Sequence, residues 1–145
     1  MNIIPFYLRF WKKHIKKITD SHQFFTIHVH DLPLCGLGWE FAQKTKAHYV
    51  ADMHENYPFL MQEMELMRFW LMRRVINVSL WKQLEKKWLK TADRIIVTCM
   101  EMKERLISLG LDSLKIYVVE NTIYKKNEYT VCRSPDHNFI TLVYI

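Results

Sequence analysis

The sequence is poor in glycine and proline, with three glycines and four prolines among its 145 residues. A β-sandwich needs a turn between most of its strands, so this scarcity argues against a many-turned all-β fold and favours an α-rich chain. Long apolar runs are also missing, since none approaches the roughly 20 residues that a membrane-spanning helix requires. Charged residues interrupt the apolar stretch after Phe10, so no proper signal peptide is predicted.

Cysteine is scarce as well. Cys35, Cys99 and Cys132 are odd in number, widely spaced and form no C-x-x-C pair. Such a pattern is typical of free thiols in a reducing compartment and excludes a disulfide framework. We therefore expect a cytoplasmic protein, with peripheral contact at the inner face of a membrane as a further expectation.

Hydrophobic residues, by contrast, make up 50% of the chain and aromatic residues 14%. This content predicts one packed domain and argues against disorder. The formal net charge of +6 favours anionic partners such as lipid headgroups or nucleotides. Nucleic acid is not predicted as a partner, because the chain has neither an aromatic-basic sheet motif nor zinc-finger spacing.

The N-terminal segment has apolar residues at helical spacing, which predicts an amphipathic helix over Ile4–Ile18. Basic residues take its other face: Arg9, Lys12, Lys13, Lys16 and Lys17. Such a helix can pack on a sheet with its lysines in water, or it can lie in a membrane interface, where Phe10 and Trp11 beside lysines are suitable. Both interpretations remain open at this stage.

Strand-like and helix-like segments alternate along the rest of the chain. The pattern predicts strands at Phe24–His30, His48–Asp52, Arg94–Thr98 and Lys115–Glu120, and helices at Leu34–Lys46, at Leu60–Thr91 with a break near Asn77–Ser79, and at Met100–Leu109, which Gly110 ends. This alternation is typical of parallel βαβ units. It predicts an α/β fold with a partial Rossmann-like parallel sheet and flanking helices.

Two of these strands end in histidines and acids. The first runs through His30 into Asp31, and the second is followed by His54 and Glu55. The carboxyl ends of parallel strands meet at the edge where open α/β sheets bind ligands. These four residues are therefore the candidate site.

His28, His30, Asp31, His54 and Glu55 could instead hold a divalent metal in a hydrolase, because H-x-H at a strand end is a known arrangement for such metals. The longer metallohydrolase pattern would continue with Asp-His, whereas Leu32 and Pro33 stand there. No metal and no cofactor are therefore predicted. His28 shares a strand face with His30 because the two are two residues apart. We expect it deeper in the sheet, as a hydrogen-bonded core histidine.

Four segments carry a resemblance to a known family. They are HVHDLPL (His28–Leu34), DMHENYP (Asp52–Pro58), LEKKWLKTADRIIVTCMEMKERL (Leu84–Leu106) and KIYVVENT (Lys115–Thr122). Each is short, but in this order they resemble the N-terminal half of glycosyltransferase family 4, the retaining enzymes of GT-B architecture. The resemblance covers Phe24 to Asn121.

The resemblance implies a function. Such enzymes hold a nucleotide-sugar donor between two domains, and a glycan or lipid-linked acceptor of cell-envelope polysaccharide synthesis binds mainly to the N-terminal one. His30 matches an acceptor-side histidine and is the tentative catalytic residue, with a structural hydrogen-bonding role as the alternative. Asp31, His54 and Glu55 would contact the acceptor, although Asp31 could instead orient His30 or cap the next helix, and the other two could form an ordinary solvated loop. Asn121 would secure the hinge between the domains.

The chain also departs from the family pattern. No glycine precedes Gly36, although the family's first strand carries a glycine-rich turn. We therefore expect an incomplete acceptor-side domain over residues 1–121, an interdomain linker over 122–138, and over 139–145 the first strand of a missing donor-binding domain. Such a fragment would be inactive alone, unless a companion chain carried the donor domain. A non-catalytic membrane-surface or partner-binding module is the alternative function.

One mechanical expectation follows from a missing first strand. The strand at Phe24–His30 would then lie at the edge of the sheet. That edge would be bare, covered by the Ile4–Ile18 helix, or used for self-association.

Overall fold

A computed structural model describes the chain over residues 4–63 and 77–121. In chain order, the elements are α1 (Ile4–Ser21), β1 (Thr26–His30), α2 (Leu32–Thr45), β2 (His48–Met53), α3 (Tyr57–Glu63), α4 (Val78–Lys90), β3 (Arg94–Val97), α5 (Met100–Ser108), a 3₁₀ turn (Ser113–Lys115) and β4 (Ile116–Val118). The predicted linker over 122–138 and the predicted strand over 139–145 lie outside the described residues.

The four strands form one parallel sheet in the order β1-β2-β3-β4. Each strand therefore pairs with the next one along the chain, through a crossover that contains at least one helix. Right-handed crossovers that always step in the same direction place their helices on the same face of the sheet. The prediction of an α/β fold with a partial Rossmann-like parallel sheet is confirmed.

Strand residues alternate between the two faces, and the buried apolar ones share the face that the helices cover. They are Val29, Tyr49, Ala51, Met53, Ile95, Val97 and Ile116, packed in one core with residues of α2, α4 and α5. The opposite face carries His28, His30, Val50, Asp52, Ile96 and Tyr117, of which only Asp52 is buried. Within the described part of the chain, we call this second surface the open face.

Helix α2 lies unusually close to its neighbours through its two glycines. A Cβ atom on Gly38 would stand 2.2 Å from Val29 Cγ2 of β1, and one on Gly36 would stand 2.7 Å from Trp88 Cζ2 of α4. Side chains cannot approach so closely, so these positions need glycine for the packing of α2 between the sheet and α4.

Helix α1 flanks the edge of the sheet that β1 forms. Lys12 Nζ donates to Glu40 Oε2 of α2 at 2.8 Å, and Ile15 lines a small cavity shared with Ile27 of β1 and Phe41 of α2. The predicted helix is thus confirmed, and it packs against α2 at the side of the sheet where β1 lies. Among the residues described, no helix is long and apolar enough to cross a membrane.

Element boundaries differ from the predictions in interpretable ways. Helix α2 begins at Leu32 instead of Leu34, because a proline such as Pro33 is tolerated in the first helical turn. The expected break in the long helical region is confirmed at Asn77, whose side chain accepts a hydrogen bond from the Leu80 backbone N–H at 2.9 Å. Residues 64–76 of that region lie outside the description.

Candidate functional site

The carboxyl ends of β1 and β2 meet at one edge of the sheet, as predicted. His30 pairs in register with Asp52, and the backbone N–H of Asp31 donates to the Asp52 carbonyl at 2.8 Å. His54 lies two residues beyond Asp52, so it continues the same side of β2. The two histidine-bearing strand ends are therefore direct neighbours.

A buried carboxylate stands at the centre of this edge. Asp52 is 8% exposed, and three imidazoles surround it. His28 Nε2 lies 3.1 Å and His30 Nδ1 3.3 Å from Asp52 Oδ2, while His54 Nε2 lies 3.3 Å from Oδ1. Both carboxylate oxygens are thus engaged. We call these four residues the histidine cluster.

The histidines of the cluster also contact one another. His30 Nδ1 lies 3.4 Å from His54 Nε2, and the rings of His28 and His30 stack with their centroids 4.8 Å apart. The three side chains retain 39%, 27% and 35% exposure in the order His28, His30, His54. A ligand from solvent can therefore reach the imidazoles, whereas the carboxylate beneath them is shielded.

Two outer residues hold His54 in place. Asp31 Oδ1 accepts from the His54 backbone N–H at 3.1 Å, and Asn121 Nδ2 donates to His54 Nδ1 at 3.2 Å. With Nδ1 as the acceptor, the proton of a neutral His54 ring sits on Nε2, from which it can be donated to Asp52. The end of β4 is thereby tied to the ends of β1 and β2.

A family model described as Glycosyltransferase Family 4 matches residues 2–125. The chain belongs to glycosyltransferase family 4. None of the curated proteins compared with it matches significantly. The resemblance drawn from the four sequence segments is therefore confirmed, and the histidine cluster lies at the carboxyl edge of a family 4 domain.

Two expectations about the family 4 site residues are wrong. Asp31 stands at the N-cap position of α2 but makes no side-chain cap hydrogen bond. At φ 61° and ψ 159° its backbone turns the carboxylate toward the His54 loop instead. His28 is not a core histidine, because it lies on the open face and the helices pack on the other one.

The site also differs from the prediction in its membership. Asp52, which organises the cluster, is not among the predicted site residues. The available signal was its position two residues before His54 and two after Val50, which places a carboxylate on the histidine side of β2. Glu55 is exposed and takes no part in the hydrogen bonds of the cluster. Its role as an acceptor contact, and those of Asp31, His54 and Asn121, remain predictions.

Proposed function

We propose that this domain is the acceptor-side half of a retaining glycosyltransferase, and that it binds a glycan or lipid-linked acceptor of cell-envelope polysaccharide synthesis. The observation that carries the proposal is the convergence of His30 and His54, both reachable from solvent, on the shielded carboxylate of Asp52. Family membership supports the reaction class.

The chemistry of sugar transfer gives the cluster its proposed roles. An acceptor hydroxyl must lose its proton as it attacks the sugar, and an imidazole within hydrogen-bond reach can orient that hydroxyl and take the proton. A base works best when a third group fixes its orientation, and Asp52 Oδ2 stands 3.3 Å from His30 Nδ1. We therefore assign His30 as the catalytic residue, with Asp31, His54 and Glu55 as acceptor contacts.

The nucleotide-sugar donor belongs, in this proposal, to a second domain. Residues 122–138 would form the linker, residues 139–145 the first strand of that domain, and Asn121 the hinge before it. A companion chain is a possible source of the remaining donor-binding part. Without it, the chain is expected to bind acceptor but not to transfer sugar.

The binding step can be tested by NMR on chain with isotope-labelled histidines. The probes are the methyl glycosides of glucose, galactose, mannose and N-acetylglucosamine, and a polyprenyl-diphosphate-linked sugar in detergent micelles. At least one probe should shift the ring signals of His30 and His54 in a saturable way. His30→Ala should weaken that binding by about tenfold, the usual worth of one lost hydrogen bond.

The matched control is His48→Ala. His48 begins β2 at the opposite end of the sheet and pairs with Asp93 at 3.6 Å, so its loss should leave probe binding unchanged. If no probe shifts the cluster, or if His30→Ala binds as well as the unchanged chain, the proposed function is wrong.

A second candidate function rests on α1. Its exposed surface combines lysines with Phe10, whose side chain is 56% exposed, a combination suited to anionic membrane surfaces. Salt-sensitive binding to phosphatidylglycerol vesicles, together with a histidine cluster that is silent toward every sugar probe, would favour this non-catalytic membrane module.

A further inference from the structure

The histidine cluster has the composition and spacing of a metal centre. One ligand atom each from His28, His30 and Asp52 can be chosen so that all of them lie within 4.8 Å of one another. His54 Nε2 lies beside this group, at 3.3 Å from Asp52 Oδ1 and 3.4 Å from His30 Nδ1. The sequence indicates the histidines as possible ligands, whereas Asp52 joins them only through the pairing of β1 with β2.

Two of the donor distances are near those of tetrahedral coordination. Zinc binds imidazole nitrogen and carboxylate oxygen at about 2.0–2.2 Å, which puts neighbouring ligand atoms of a tetrahedron about 3.3–3.6 Å apart. In the cluster, His28 Nε2 lies 3.1 Å and His30 Nδ1 3.3 Å from Asp52 Oδ2. Because the two rings stack with 9° between their planes, they would turn toward a shared ion as it binds.

Charge favours the same conclusion. The Asp52 side chain is 11% exposed and lies within 3.3 Å of a ring nitrogen of each of three histidines. An imidazole supplies a counter-charge only when it takes up a proton, whereas a divalent cation supplies one to the buried carboxylate directly. Imidazoles with a carboxylate suit zinc and its first-row neighbours, and the partly exposed rings provide an entry path.

We propose that His28 Nε2, His30 Nδ1 and the Asp52 carboxylate bind one Zn²⁺ or a similar divalent transition-metal ion, with solvent completing the coordination. A zinc ion on His30 Nδ1 leaves the ring proton on Nε2, so the metal-bound form could not use this ring as the base assigned above. The inference therefore goes beyond the proposed function and describes a second state of the cluster, and its test contains no sugar.

The test uses the 145-residue chain without a histidine tag, stripped of metal. Calorimetric titration with ZnCl₂ should give one ion per chain, and Co²⁺ should produce the visible bands of tetrahedral coordination. Zinc should also raise the melting temperature, because it binds the folded state. His28→Ala and Asp52→Asn should each weaken zinc binding more than the roughly 10–100-fold that loss of an outer partner causes.

The controls separate this site from other histidines. His48→Ala removes a surface histidine with a single carboxylate neighbour and should leave affinity and stoichiometry unchanged. His28 is partly exposed, so His28→Ala should keep the far-ultraviolet circular dichroism of the unchanged chain even if Asp52→Asn does not fold. Stoichiometric binding that survives His28→Ala, or no binding by the unchanged chain, overturns the proposal.

The two proposals can fail separately. Zinc binding by a cluster that no sugar probe shifts would overturn the proposed function and leave the metal site standing. Sugar binding by a chain that takes up no zinc would do the reverse.

Discussion

At the scale of single residues, the two described cysteines have opposite surroundings. Cys35 lies in the core with its side chain fully buried, and burial raises the pKa of its thiol to about 12. Cys99 is exposed at the N-cap of α5. Because the thiolate is the reactive form, chemical reactivity should divide these two residues sharply.

We predict that the Cys132→Ser variant reacts rapidly with a disulfide thiol reagent at pH 8 through one thiol per chain, and that adding Cys99→Ser abolishes this phase. Cys35 should react only as the protein unfolds. Because burial raises the pKa of this thiol from 9.0 to about 12, the unfolded state loses its proton first. Stability should therefore fall as pH rises through that interval. Rapid reaction of two thiols in native protein would contradict the burial of Cys35.

The meeting of His30 and His54 could be predicted from the sequence, whereas the roles of His28 and Asp52 beside them could not. Their meeting follows from strand ends alone, because parallel strands bring their carboxyl ends together. The placement of His28 depends on which face the helices cover, a property of the assembled sheet. The part played by Asp52 depends on the register between β1 and β2, which the pattern of apolar residues does not specify.

At the scale of elements, a buried ion pair joins α4 to α5. Glu85 is 1% exposed, and Arg105 donates to both of its carboxylate oxygens, from Nη1 at 2.9 Å and from Nη2 at 2.8 Å. Bidentate hydrogen bonding between arginine and a carboxylate is among the stronger charged contacts in proteins. The Arg105 side chain keeps 25% exposure, so the two partners differ in their access to water.

From this difference in exposure we predict how three substitutions change the free energy of unfolding, measured by urea titration. Arg105→Ala leaves an uncompensated buried carboxylate and should cost about 3–5 kcal/mol. Glu85→Ala should cost less, because the arginine can turn toward water. Glu40→Ala, which cuts the surface contact with Lys12, is the control and should change stability by about 1 kcal/mol or less. Equal losses in all three variants would contradict the structure.

Element positions were largely predictable, and their ends were less so. Periodicity located the four strands and the helices, but β4 covers only Ile116–Val118 of the predicted Lys115–Glu120. A strand ends where its neighbour stops offering hydrogen bonds, and that neighbour lies elsewhere in the sequence. Helix ends that have a local sequence signal agree better with the predicted positions. Helix α5, for example, ends before Gly110, whose φ is +84°.

At the scale of the whole molecule, the described sheet has one face that the helices cover and one open face. β1 is an outer strand in the described part of the chain. Asp31 donates its backbone N–H to β2. In a parallel strand, successive backbone N–H groups point alternately to the two sides. The Val29 N–H therefore also points to β2, whereas the His28 N–H points away from it.

Hydrogen exchange on dilute protein should therefore distinguish adjacent amides. We predict that His28 exchanges at least roughly tenfold faster than Val29, because local protection follows backbone pairing. The ratio should stay the same when the protein is diluted further. Equal protection, or protection of His28 that grows with concentration, would indicate a backbone partner across this edge and contradict its position at the outside.

The neighbour-to-neighbour strand order has a consequence for how the chain folds. None of the four described strands must wait for a partner that is synthesised much later, so this part of the sheet can grow by stepwise addition. The longest crossover joins Met53 to Arg94 and is roughly twice the length of the other two. The entropic cost of closing a loop, expressed as free energy, increases by only about 0.6 kcal/mol for each doubling of the loop's length. The kinetic barrier should therefore be modest for an α/β protein, and assembly can start from more than one pair of strands.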